Sequence, residues 1–175
     1  MKNGVFDLFL VLIFLLNSGR GNAQEGINVT AGIGLPEMLN LGLRMQFERT
    51  QIGIAFGTVP GSDSNFTISS DFYYHFGGRS ELTSIQPWFF KTGLTYMSTE
   101  NEWRRETSFL IVPRIGREFN ISSKFGVALE AGFLVILSEH EKVKKENPST
   151  YFGDFDLDFT GLVLPSAGLN IFYRF

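Results

Sequence analysis

The chain has 175 residues, a formal net charge of −3 and no cysteine. That length suits one domain, the missing cysteines exclude a disulfide framework, a thiol nucleophile and a thiolate metal site, and the charge leaves no basic footprint for nucleic acid. Charged residues make up only 19% of the chain, while Phe and Gly number 19 each; soluble domains carry about 25% charged residues, so the composition favours an apolar exterior.

The N-terminus reads as an export signal. Lys2 supplies a positive start, residues 5–16 are apolar except for Asp7, and Gly21-Asn22-Ala23 places small residues at −3 and −1 before Gln24. The apolar run is too short to span a bilayer, which takes about 20 residues. Residues 1–23 are therefore expected to be a cleaved signal peptide, and 24–175 the mature domain. No later stretch approaches the length of a membrane helix. Only helices and closed barrels satisfy every backbone polar group inside lipid.

The remaining sequence alternates with period two, as strands do when successive side chains face opposite ways. The first run carries Ile27, Val29, Ala31, Ile33 and Leu35 on one face, and the second Leu39, Leu41, Leu43, Met45 and Phe47. The third carries Ile52, Ile54 and Phe56. In the fourth, Phe66, Ile68, Phe72, Tyr74 and Phe76 oppose Thr67, Ser69, Asp71 and His75. In the fifth, Trp88, Phe90, Leu94 and Tyr96 oppose Lys91, Gly93 and Thr95; in the sixth, Phe109, Ile111 and Ile115 oppose Ser108 and Arg114. The seventh aligns Phe125, Val127, Leu129, Ala131, Phe133, Val135 and Leu137. The last aligns Val163, Ala167, Leu169, Ile171, Tyr173 and Phe175.

Eight such runs predict an all-β fold, an eight-stranded antiparallel up-and-down transmembrane β-barrel with both ends of the domain on one side. A secreted soluble barrel of the lipocalin kind has the same period, with its apolar phase inward. Three features favour the membrane form. No charge falls in the apolar phase of the eight runs. The opposite phase is rich in glycine, which suits a crowded lumen better than a wet surface. Aromatics gather at the strand ends: Phe47, Tyr74, Phe76, Trp88, Phe172, Tyr173 and Phe175 at the terminal end, and Phe56, Phe66, Tyr96 and Phe109 at the other. Two such girdles anchor a barrel at the membrane interfaces.

The ending Leu169-Asn170-Ile171-Phe172-Tyr173-Arg174-Phe175 resembles the C-terminal signature of bacterial outer-membrane barrels, with a terminal Phe and apolar or aromatic residues at alternate positions. The eight runs resemble, in pattern, the small OmpA/OmpX-like barrels. The resemblance implies an outer-membrane location, contact with outer-membrane lipid and lipopolysaccharide, and a signature (Leu169, Ile171, Tyr173 and Phe175) read by the barrel-assembly machinery. It implies a monomer without a cofactor, serving envelope structure, adhesion or ligand contact through its loops.

Two groups of polar residues are candidate sites. Arg44, Lys91, Arg114 and Arg174 share the inner phase with Asp71 and Glu130. In an eight-stranded barrel the lumen is just wide enough for side chains to fill it. These charges are therefore expected to pair as a structural plug; a narrow gated pore is the alternative. The longest connection, residues 138–160, carries Lys142, Lys144 and Lys145, then Asp154, Asp156 and Asp158 on one face of an alternating stretch. Carboxylates at that spacing suit Ca²⁺, but no calcium-loop glycine spacing follows, so a solvated face is expected and no metal site. The lysines and Arg104-Arg105 are candidates for lipopolysaccharide phosphates.

An enzyme is not expected. Lipid A deacylases of similar size use a His-x-Ser pair plus an acid, and here Gly77 and Lys142 follow His75 and His140 at that spacing. Ser138-Glu139-His140 holds the residue types in another order, and hydrolysis needs them in contact. Pro113 and Pro165 fall inside predicted strands, where each predicts a bulge or an unpaired end. The Gly77 to Pro87 connection is long for a turn, and a strand hidden there would change the count.

Overall fold

The computed structural model describes residues 26–59, 64–145 and 160–175. The expected signal peptide (1–23) and Asp154, Asp156 and Asp158 lie outside the described residues. The strands are β1 (Ile27–Gly34), β2 (Met38–Phe47), β3 (Thr50–Thr58), β4 (Ser64–Gly77), β5 (Trp88–Glu100), β6 (Arg104–Ile111), β7 (Arg114–Asn120), β8 (Phe125–Val143) and β9 (Val163–Arg174).

Every strand pairing is antiparallel and joins neighbours in sequence except at β6 and β7, and β1 pairs with β9 through Asn28↔Arg174 to Gly34↔Gly168, so the sheet closes. β6 and β7 both lie between β5 and β8. They are two halves of one wall strand, and the ring is eight strands around. Closure removes the free edges an open sheet would present.

The break between β6 and β7 is the work of Pro113, which has no N–H to donate. The wall stays continuous there: Val112 N–H donates to the Gly93 carbonyl at 3.0 Å, and Phe133 N–H donates to the Pro113 carbonyl at 3.0 Å. The in-and-out phase also survives, with Val112 and Arg114 buried and Phe109 and Ile115 exposed. Pro165 stays in β9 opposite Phe133 of β8. The β1–β9 ladder ends at Gly34↔Gly168, so Pro165 lies on a stretch with β8 alone as its ladder partner. The Gly77 to Pro87 connection holds no strand, which keeps the count at eight.

The two faces are inverted relative to a soluble barrel. Leu41 is 61% exposed, Leu94 57% and Leu129 50%, while Asp71 and Lys91 are each 4% exposed. The apolar phase therefore faces outward, opposite to the lipocalin arrangement. Outward aromatics gather at both ends. Tyr96 packs between Phe66 (5.8 Å between ring centroids) and Phe109 (5.2 Å) near one end, and Tyr173 packs on Phe175 (5.1 Å) at the other.

Two expectations about phase need correction. Phe172 does not join the outer girdle; it is 2% exposed and points into the lumen with its even-numbered neighbours Asn170 and Arg174. The outward phase is also not free of charge. Strand β7 runs past Ile115, and its next outward residue is Arg117, exposed between apolar neighbours.

Inner glycines leave room for the side chains beside them. A Cβ on Gly93 would lie 2.1 Å from Asp71 Oδ1, and one on Gly116 would lie 2.3 Å from Phe89 Cζ. Those glycines are what let a carboxylate and a phenyl ring fill so narrow a lumen. The lumen is not polar throughout. Tyr73, Phe89, Ala128 and Phe172 form one buried cluster, and Leu110, Val112 and Leu134 form another.

Candidate functional site: the luminal ion column

All six charges expected in the lumen are buried: Arg44, Asp71, Lys91, Arg114, Glu130 and Arg174. Two further carboxylates, Glu37 and Glu118, are buried with them. The eight form two sets. In the set toward the loop end, Arg114 donates to Glu130 at 2.7 Å and lies 3.4 Å from Glu37. Lys91 lies 3.2 Å from Asp71 and 3.7 Å from Glu130. In the set toward the terminal end, Arg174 donates to Glu118, and Arg44 lies 4.0 Å from the other Glu118 oxygen.

Tyr73 joins the two sets. Its ring carries the Arg44 guanidinium 4.3 Å from its centroid and the Lys91 ammonium at 5.5 Å, and it packs on Phe89 at 5.6 Å. Arg174 likewise covers the Phe172 ring at 4.3 Å. A cation over an aromatic face is stabilised by the ring quadrupole, most strongly where water is excluded.

Neutral donors and acceptors complete the column. Arg114 donates from Nε to Ser166 Oγ at 2.8 Å and also to the Leu35 carbonyl, and Ser166 Oγ donates to that carbonyl at 2.7 Å. Asn170 donates to Glu130 at 3.0 Å, and Arg174 donates to Asn120 at 2.6 Å. Burying a charge is costly unless it is paired and hydrogen-bonded. Here four cations meet four carboxylates, and each cation has at least one acidic partner within 4.0 Å. The cations and carboxylates pair with one another and rings pack between them, although Asp71 Oδ1, Glu130 Oε2 and Arg174 Nε are buried without a hydrogen-bond partner.

The terminal end has its own closure. The Gly77 to Pro87 connection crosses the mouth, where Asn120 donates to Ser80 Oγ at 3.1 Å and His75 Nδ1 meets the Gln86 carbonyl at 2.7 Å. Between this segment and Asn28, Gln46, Lys124 and Arg174 lies a cavity of about 460 Å³. Above it Gln51 donates to Gln46, and both His75 and Gln51 are fully buried.

At the loop end, β6 and β8 rise together as far as Arg104↔Val143. Lys144 donates to Glu100 and holds that carboxyl below the usual carboxylate range. Arg105 lies 3.7 Å from Glu100, and Arg104 lies 2.8 Å from Glu106 and 3.6 Å from Glu141. Lys142 and Lys145 are exposed and have no ion pair among the described residues. Ser138 and His140 lie on one face of β8, with Glu139 between them on the other. His75, the second histidine, packs on Phe89 at 5.5 Å. Among the described residues, neither histidine is set in a Ser-His-acid arrangement.

Glu37 and Glu118 were missed for different reasons. Glu37 follows Pro36 in the β1–β2 turn, where no period applies. Glu118 shares even parity with Arg114 and Gly116, a signal present in the sequence beyond the point where the sixth run was closed.

Fold and site together define a closed antiparallel barrel with an apolar outer wall and an ion-paired interior. It is similar in fold to the N-terminal β-barrel domain of Pseudomonas aeruginosa OprF, with a TM-score of 0.52 and 12% sequence identity over 87% of this chain and 99% of that one. No protein-family model matches the sequence. No curated protein sequence matches it either.

Proposed function

We propose that this chain is a non-enzymatic integral barrel of a bacterial outer membrane, exported by cleavage after residue 23 and closed to ion flow. One observation carries the reading: a wall of exposed apolar side chains, broken by Arg117, encloses buried charges that pair with one another. Water favours the opposite arrangement, and lipid favours this one. The fold likeness to an outer-membrane barrel domain supports it.

In this reading the barrel is a monomer, and the closed ring leaves no strand edge for edge-to-edge pairing with another copy. The barrel-assembly machinery reads Leu169, Ile171, Tyr173 and Phe175. The exposed Lys142 and Lys145 lie at the loop end, where lipopolysaccharide phosphates and external ligands are met. No cofactor is required. The test is membrane fractionation of the expressed protein with gel mobility before and after boiling. A heat-modifiable band in the outer-membrane fraction is expected; recovery in the soluble fraction refutes the reading. Purified barrel in a planar bilayer is expected to show no channel steps. Lipid A of a deletion strain is expected to match wild type by mass, and a changed acyl count would refute the non-enzymatic part.

A further inference from the structure

Arg117 is a cation on the wrong face. It is exposed on the outward phase of β7, between Ile115 and Phe119 along the strand and between Trp88 and Leu129 across it. Its guanidinium lies 5.4 Å from the centroid of the Trp88 ring and 5.1 Å from that of Phe119. No carboxylate pairs with it among the described residues. At the loop end Arg104, Arg105 and Lys144 each have an acidic partner, while Lys142 and Lys145 have none among the described residues but do not lie between two aromatic rings on the apolar wall.

Depth explains the posture. Arg117 lies two residues inside Phe119, about 5 Å deeper at ~3.3 Å per residue along a strand tilted by ~40°. Its stem covers apolar wall while the head bends toward the rim, as a long cationic side chain does beside lipid. The two ring faces stabilise the charge but accept none of its five N–H donors in full. Arg49, Arg79 and Lys124 are also exposed at this end, beside Glu48 and Glu81.

We propose that Arg117, Trp88 and Phe119 form a site for the phosphate of an anionic phospholipid in the leaflet at the terminal end of the barrel. A planar guanidinium matches two phosphate oxygens in a fork, and Trp88 and Phe119 pack on the glycerol and upper acyl region. The proposal rests on the membrane reading above and adds a ligand and a place to it.

The two tryptophans of the chain are Trp88 and Trp103, so Trp103→Phe leaves Trp88 as a reporter inside the site. Full-length barrel carrying that change is refolded in a neutral sugar detergent, checked for heat-modifiable mobility, and titrated with phosphatidylglycerol. A saturable change in Trp88 emission is expected. Arg117→Gln is expected to weaken it about tenfold, the loss of one good charged contact. Neutral diacylglycerol is expected to give no saturable signal. Equal titrations for Arg117→Gln and its parent, or equal response to diacylglycerol, overturn the site while the barrel reading stands. A parent protein with no heat-modifiable form overturns both.

Discussion

Glu130 is the residue on which the luminal column turns, and Glu130→Ala is the sharpest test of it. The carboxylate meets Arg114 at 2.7 Å, Asn170 at 3.0 Å and Lys91 at 3.7 Å, with its side chain 1% exposed. Removing one partner of a buried ion pair costs about 3–5 kcal/mol, because the other charge stays buried. Here both orphaned cations keep a second anion: Lys91 has Asp71 at 3.2 Å, and Arg114 has Glu37 at 3.4 Å. The lower figure, about 3 kcal/mol, therefore applies. With a urea slope of about 2 kcal/mol/M for a chain of this size, the unfolding midpoint falls by about 1.5 M. The measurement is urea unfolding of the refolded barrel in lipid vesicles, followed by tryptophan emission and by loss of the heat-modifiable band. Arg114→Ala alone and the double substitution complete a cycle. The double variant is expected to be less destabilised than the two single losses combined, because it no longer strands the pair's other charge. A Glu130→Ala shift below about 0.5 M, or strict additivity in the cycle, would refute the claim that these charges hold each other in place.

Three other outcomes follow from the wall and its filling. Leu94→Arg places a charge on the outward face, where Leu94 is 57% exposed; it is expected to cost about 2–4 kcal/mol in vesicles, and unchanged stability there would contradict a lipid-facing wall. Gly116→Val puts a side chain where a Cβ already meets Phe89 Cζ at 2.3 Å. It is expected to destabilise by about 1–3 kcal/mol, measured by the same urea titration, with Phe89→Ala restoring part of the loss. Phe175→Ser is expected to reduce the folded, heat-modifiable fraction in cells while leaving refolding of the purified chain into vesicles nearly intact; equal loss in both assays would assign Phe175 a packing role instead.

The fold was legible because a closed barrel writes itself as parity. Once Asp71, His75 and Lys91 share a phase, the lumen is set, and no three-dimensional information is needed to place them. Parity was less help where a strand was cut short or a residue was judged by position along it. Glu118 and Arg117 both lay past the closed end of the sixth run, so one lost carboxylate left Arg44 and Arg174 without their acid, and one lost cation made the outer wall look uncharged. Phe172 was assigned to the girdle because aromatics gather at strand ends, although its parity with Asn170 and Arg174 pointed inward. Glu37 carried no such signal. Its place depends on how the Leu35-Pro36-Glu37 turn folds over the rim toward Arg114, a contact 77 residues away in sequence. The inner ring of Phe89 carried no such signal either, since it fits only because Gly116 on the adjacent strand yields the space.

The segment across the terminal mouth, pinned by Asn120 and His75, stands in series with the ion column rather than adding to it. Two obstructions in series behave like two shut doors along one corridor: opening either leaves the other closed. A substitution that loosens the column alone is then felt as lost stability with the bilayer still silent. Current would require the column and the mouth to yield in the same molecule at the same moment, a coincidence whose probability is the product of two small ones if the two open independently.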